Sequence, residues 1–213
     1  MAGRLHHEIL YRGEEAMKKI ASTPVWICGA GALGSQIAVS LARMGMTRLT
    51  VVDRDRVEEH NVGTQVYGME DVGARKVDML RNMLYRDLAC EIAVVGEELT
   101  ERNVAKLLRG ATLVVDTFDN SLARSTVAQW CTTGGVACLH AGVNEGYGEV
   151  VWNDRYIVPS DGGVDVCDYP LSRSLILLVA SVASDVLVRF AADSVKESYA
   201  ITLQDFKITP LEN

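Results

Sequence analysis

Apolar residues along the chain fall into short runs, separated by longer stretches in which apolar and polar positions alternate with helical period. Val25–Cys28 and residues 113–115 are apolar throughout and Leu49–Val52 nearly so, the pattern of parallel strands covered on both faces. Residues 32–44, 72–85, 101–108 and 121–132 carry the helical period, and residues 91–95 and 136–140 add two more strands. Residues 13–21 form a short helix that Pro24 ends before the first strand. The alternation of strand and helix builds βαβ units and a widening parallel sheet.

Beyond Gly142 the pattern changes. Residues 148–152 and 156–158 read as two strands joined by a short turn with no helix between them, which makes this part antiparallel. Residues 160–166, rich in Gly and Asp, read as a mobile loop leading through Cys167 and Pro170 into a long helix over 171–192. Residues 199–208 supply a final strand or hairpin. The expected fold class is α/β: a Rossmann-like, largely parallel sheet with helices on both faces and an antiparallel C-terminal extension. With no repeat, no low-complexity tract and only four prolines, residues 1–213 read as one domain.

Composition narrows the picture. A 213-residue chain that is 48% hydrophobic can bury the core of one α/β domain. A net charge of −7 and a pI near 5.1 argue against a broad phosphate-binding surface, and so against nucleic acid as ligand. His6, His7 and Glu8 stand where an export signal needs an apolar run, and residues 175–183, followed by Asp185 and Arg189, fall short of the roughly 20 residues of a membrane span. Five cysteines without a CxxC pair predict neither a disulfide framework nor a zinc site; reduced thiols in a cytoplasmic protein are expected.

Residues Gly29-Ala30-Gly31-Ala32-Leu33-Gly34 form a G-x-G-x-x-G turn between the first strand and the following helix. In this motif Gly29 permits the tight turn, Gly31 lets the backbone approach a phosphate, and Gly34 lets helix and sheet pack closely. Asp53, roughly 20 residues past the turn at the end of the second strand, stands where an acid binds ribose hydroxyls. A nucleotide is expected here; the turn alone does not choose among ATP, a nicotinamide dinucleotide and a flavin.

Further segments follow in order: Gly13-Glu14-Glu15, Asp53-Arg54-Asp55, Asn61-Val62-Gly63-Thr64-Gln65, Gly73-Ala74-Arg75-Lys76, Asp116-Thr117-Phe118-Asp119-Asn120, and residues 201–207 at the end. Together the chain resembles the ThiF/MoeB/HesA family of ubiquitin-activating-type adenylyltransferases from about Arg4 to Phe206. The resemblance implies ATP and magnesium as cofactors, without zinc, and adenylation of the C-terminal glycine of a ubiquitin-like β-grasp or sulfur-carrier protein, followed in many members by transfer to a thiol. It implies that Lys76 contacts phosphate, that Asp119 is associated with magnesium, that Asp53 binds ribose, and that Asp55, Asn61 and Gln65 fall in the nucleotide pocket. It also implies a homodimer in which residues 4–20 reach toward the neighbouring nucleotide. Taken singly, Lys76 could instead be a solvated helix charge and Asp119 a helix N-cap.

Two positions depart from the family: Thr64 and His7 stand where arginines are usual, and neither gives a permanently charged, bidentate fork. Arg4, Arg12, Arg54, Arg56 and Arg75 lie near enough in sequence to substitute. Cys167 occupies the loop where acyl-accepting cysteines of the family lie, but its acidic neighbours Asp165 and Asp168 disfavour a thiolate, so a catalytic and an inert thiol both stand. Cys28, Cys131, Cys138, Cys90, His140, Trp26 and Trp130 read as structural. Three functions compete: the activating enzyme, a catalytically degenerate nucleotide- or partner-binding subunit, and an NAD-dependent oxidoreductase that leaves Lys76 and Asp119 unexplained. A tRNA-directed relative within the family fits the acidic balance poorly.

Overall fold

The computed structural model describes residues 3–159 and 170–212. Among these, eight strands form one sheet in the order β3-β2-β1-β4-β5-β6-β7-β8. β1 (Val25–Cys28), β2 (Leu49–Val52), β3 (Ala93–Val95), β4 (Leu113–Asp116) and β5 (Ala137–Asn144) are parallel; β6 (Tyr147–Trp152), β7 (Ser198–Thr202) and β8 (Lys207–Leu211) continue the sheet antiparallel. The winding reverses at β1, which lies between β2 and β4. In open α/β sheets such a switch point leaves a crevice beyond the C-terminal strand ends.

Alternate side chains of each central strand enter two separate cores. Ile27, Val51 and Val115 pack with α2 (Glu14–Ser22), α3 (Ala32–Arg43), α4 (Lys76–Leu88) and α7 (Arg173–Asp193) on one face, through Ile20, Ile37, Leu80 and Leu187. Cys28, Val52 and Val114 pack with α5 (Val104–Leu107) and α6 (Ser121–Gly134) on the other, through Leu107, Val127 and Cys131. Burial on both faces is why these strands lack a polar alternation. Each such side chain contributes about 1.5–3 kcal/mol of hydrophobic stabilisation. α7 is long and apolar enough by composition to cross a membrane, yet it packs on α3 and on β5, β6 and β7, with Leu175, Ile176, Val179 and Val188 buried.

Several boundaries differ from expectation for local reasons. The chain starts with an additional helix, α1 (His6–Arg12), separated from α2 by Gly13 at φ +86°. Gly73 at φ +88° and an antiparallel bridge between Arg56 and Arg75 keep residues 72–75 out of α4, so Lys76 becomes its first residue. The antiparallel part is present but paired differently: β5 runs on to Asn144 and turns through Glu145 and Gly146 directly into β6. Residues 156–158 are not a strand. Tyr156 instead stacks on His140 with ring centroids 3.6 Å apart, and Arg124 donates to its hydroxyl at 2.7 Å, so the segment serves as a strap across the sheet. The loop expected over 160–166 lies outside the described residues.

α7 is seated on β6 at Gly148, where an added Cβ would lie 2.3 Å from Val179 Cγ2. Gly148→Ala should therefore destabilise the protein by about 1–3 kcal/mol through overpacking, measured by urea denaturation. An unchanged midpoint would show that α7 is not held against β6 in this way.

Candidate functional site

The glycine turn at the end of β1 is shaped by its neighbours. Gly29 has φ +103°, donates its N–H to the Val52 carbonyl at 2.9 Å, and leaves only 2.8 Å between a hypothetical Cβ and Thr117 Oγ1. At Gly34 a Cβ would lie 2.0 Å from the Gly29 carbonyl oxygen. At Gly31 it would meet nothing within 4 Å. Packing thus demands glycine at the first and third positions, while the second faces open space at the start of α3, where unpaired N–H groups favour an anion.

That space is a cleft of about 430 Å³ at the switch point, and several loops that follow strands contribute to it. Gly29 and Gly31 come after β1, Asp53, Arg54 and Asp55 after β2, Lys76 from the head of α4, and Asp119 after β4. The loop after β3 adds Glu97, Leu99 and Arg102. Six expected site residues therefore meet in one place although they are spread over 90 positions of sequence.

Each is held by identifiable contacts. Asp53 is 7% exposed and accepts the Ala30 N–H at 2.6 Å and the Asp55 N–H at 2.7 Å. Burial raises its pKa from the ordinary carboxylate value, against the pull of these N–H groups and Lys76. Each Asp53 oxygen retains acceptor capacity, so tying down the turn and binding a hydroxyl are compatible. Lys76 is 7% exposed, with Nζ 3.4 Å from Asp55 Oδ2; it is not a solvated helix charge. Nor does Asp119 cap α6: Asn120 does so, accepting the Ala123 N–H at 2.8 Å, which leaves the exposed Asp119 carboxylate at the cleft rim.

Sequence reading missed Tyr67. It is 3% exposed, and its hydroxyl donates to the Ala30 carbonyl at 2.8 Å. Burial, with Asp53 and Asp71 nearby, pushes its pKa well up, so the hydroxyl is a donor at all physiological pH values. Nothing in its local sequence marks the role, since the contact spans 37 residues.

Other expected residues lie off the cleft wall. Asn61 is buried and accepts the Glu58 N–H at 3.0 Å within a 3₁₀ turn, and Gln65 is buried with Oε1 unpartnered among the described residues. Thr64 bonds back to the Asn61 carbonyl, and His7 is exposed on α1. Of the arginines near in sequence, Arg4, Arg12, Arg56 and Arg75 are engaged with Ala42, Glu8 and Asp185, Gly73, and Asp78. Arg54 reaches the cleft but pairs with Glu98 at 2.5 Å. Cys167 lies outside the described residues.

Beneath the loop after β4 is a buried polar layer. His140 Nδ1 lies 2.8 Å from Asp116 Oδ2 and Nε2 lies 2.9 Å from Asn153 Oδ1. Arg124 donates to the carbonyls of Phe118 and Ala141 as well as to Tyr156. His140 is thus structural as expected, but through a polar network rather than apolar packing. Burial raises the Cys28 and Cys138 thiols well above their ordinary range, with Asp116 adding to it, so these are unreactive core groups.

A parallel sheet that reverses at β1, with a glycine turn at the switch point, defines a Rossmann-type α/β protein. Residues 6–191 match the ThiF family, and the chain belongs to it. It is 29% identical over 134 residues to the tRNA threonylcarbamoyladenosine dehydratase of Escherichia coli, covering 58% of this chain and 50% of that protein. It is 31% identical over 155 residues to the sulfur carrier protein ThiS adenylyltransferase of Bacillus subtilis, covering 70% and 46%. The chain thus spans about half the length of the curated relatives it matches. In fold it is similar to E. coli MccB, crystallised with ATP, at a TM-score of 0.83 and 16% identity, covering 99% of this chain and 71% of that one.

The two glycines that differ most in surroundings should respond differently. Gly34→Ala places a Cβ against backbone and should cost about 3 kcal/mol or more, whereas Gly31→Ala should change unfolding free energy by no more than about 0.5 kcal/mol. Urea denaturation of both variants checks this; equal losses would contradict the packing described.

Proposed function

We propose that the protein binds ATP in this cleft and adenylates the C-terminal carboxylate of a ubiquitin-like or sulfur-carrier protein. The observation that carries the reading is the convergence of Gly31, Lys76 and Asp119, from three separate segments, on one cleft at the switch point. Membership of the ThiF family and a relative named as a ThiS adenylyltransferase support it.

In this reading the phosphates lie against Gly31 and the first turn of α3, Lys76 offsets their charge, and Asp53 accepts from the ribose. A carboxylate oxygen of the carrier attacks the α-phosphorus, the bond to the β-phosphate oxygen breaks, and pyrophosphate leaves. Oriented donors and cations favour this step by lowering repulsion between two anions. Among the described residues no group of three or more His, Cys, Asp and Glu side chains is arranged to hold a metal. Asp119 still fits magnesium, because that ion is commonly held by one or two carboxylates together with substrate phosphates and water. When bound, magnesium would neutralise charge on the phosphates.

Thr64, off the cleft wall where the family usually has an arginine, favours a second reading: a binding subunit that has lost catalysis. The relative named as a tRNA threonylcarbamoyladenosine dehydratase keeps a tRNA-directed reaction as an alternative within the family.

We also propose a two-fold dimer formed around α1, which has no buried residue and exposes Leu10 (70%) and Tyr11 (78%). Arg12 fixes this helix to its own α7 through Asp185, presenting it as a rigid face. The interface should bury more than roughly 2,000 Å². Light scattering at micromolar concentration should give a dimer, and Leu10→Asp a monomer; a wild-type monomer with full activity would count against it.

Adenylation and any thiol step can be separated in one assay. Asp119→Ala should lower carrier-dependent ATP–pyrophosphate exchange by roughly a hundredfold or more, the consequence of losing several kcal/mol of charge stabilisation. Where Cys167 accepts the activated acyl group, Cys167→Ala should leave exchange intact while removing any thioester-linked carrier adduct; an untouched adduct would make the loop cysteine a bystander. Normal exchange by Asp119→Ala would remove its assigned role. Absence of wild-type exchange with every carrier would favour the binding-subunit reading.

A further inference from the structure

We infer that Tyr67 is a positioning residue for phosphate binding: its hydroxyl, by holding the Ala30 carbonyl, aims the Gly31 N–H into the cleft. The inference rests on the nucleotide reading of the cleft and adds a residue to it.

The geometry follows from one peptide plane. The Ala30 carbonyl and the Gly31 N–H belong to the same trans peptide unit, so they point in opposite directions. Tyr67 donates to that carbonyl at 2.8 Å from the buried side of the turn. The Gly31 N–H must then point away from Tyr67, and Gly31 lines the cleft with no atom near its open side. No partner for this N–H is found among the described residues. On the preceding peptide unit, Asp53 accepts the Ala30 N–H at 2.6 Å, so two consecutive planes are fixed by side chains from the β2 end of the cleft.

Tyr67 can act this way because its own segment is anchored. Asn61 closes a 3₁₀ turn with Glu58, Gln36 Nε2 donates to the Thr64 carbonyl at 3.4 Å, and the Gly68 N–H donates to Asp71 at 2.8 Å. The ring is buried in the main core cluster. Asn61 and Thr64 therefore help fix the chain that delivers Tyr67. A peptide aimed in advance costs no reorganisation when an anion arrives.

Tyr67→Phe removes only the hydroxyl. Titration calorimetry of the full chain with ATP, AMP and adenosine should show ATP and AMP weakened roughly three- to tenfold, the size of one lost hydrogen bond, and adenosine unchanged within about twofold. A purely structural role for Tyr67 would weaken all three ligands alike. Replacing Tyr67 by 4-aminophenylalanine keeps a donor in place and should restore ATP affinity, and it decides the matter should the Phe variant unfold. A folded Tyr67→Phe protein with wild-type ATP affinity, an equal loss for adenosine, or a folded 4-aminophenylalanine protein that stays weak for ATP would each overturn the inference. Wild-type protein that binds none of the three ligands would instead overturn the nucleotide reading itself.

Discussion

The close approach of β1, α3 and the loop after β4 at the glycine turn is the constraint on which the rest of the site depends. Thr117 Oγ1 donates to the Cys28 carbonyl at 3.0 Å and lies where side chains at Gly29 or Gly34 would have to go. Helix α3 can meet the sheet at this distance only because two positions lack a Cβ. Its N-terminus then faces the crevice that the reversal at β1 opens, and strands β2 and β4 deliver their C-terminal loops to the same place. The turn is pinned from three sides, by Thr117, Asp53 and Tyr67, each from a different part of the chain.

The charge of the cleft sharpens this dependence. Its walls carry Asp53, Asp55, Glu97, Glu98, Glu101 and Asp119 against Arg54, Lys76 and Arg102. Arg54 and Lys76 already face carboxylates, so net charge does little to attract an anion. In the proposed reading a phosphate group is held mainly by oriented N–H donors at the turn, with Lys76 and any cation that accompanies the ligand offsetting its charge. An acidic protein can bind an anion on these terms, because backbone dipoles act at short range whatever the overall charge.

The buried polar layer under the loop after β4 links the parallel half of the sheet to the antiparallel half. Asp116 ends β4, His140 lies in β5, Asn153 follows β6, and Thr132 of α6 accepts from Asn153. Such a network costs desolvation and is tolerated because its members are hydrogen-bonded to one another. Arg124 joins it to the cleft through the Phe118 carbonyl and to the strap through Tyr156. The position of Asp119 thus depends on groups well outside the cleft.

How much of this was legible in the sequence follows from the range of the interactions. The βαβ alternation, the glycine turn, the buried strands and the order of Asp53, Lys76 and Asp119 are local patterns, and the structure contains each of them. Gathering those residues at one cleft follows from the topology, since parallel strands put every loop after a strand on the same edge. What only the tertiary structure decided are contacts between segments far apart in sequence whose residue types are unremarkable. Tyr156 looked like a strand residue until its stacking on His140 and its bond to Arg124 drew it across the sheet. Tyr67, in the same segment as Asn61 and Gln65, drew no notice in the sequence, yet its hydroxyl touches the glycine turn directly. A hydrogen bond spanning 37 residues leaves no periodicity and no composition to read; it exists only once β1 and the chain after β2 have been brought together by burying their apolar neighbours in a common core.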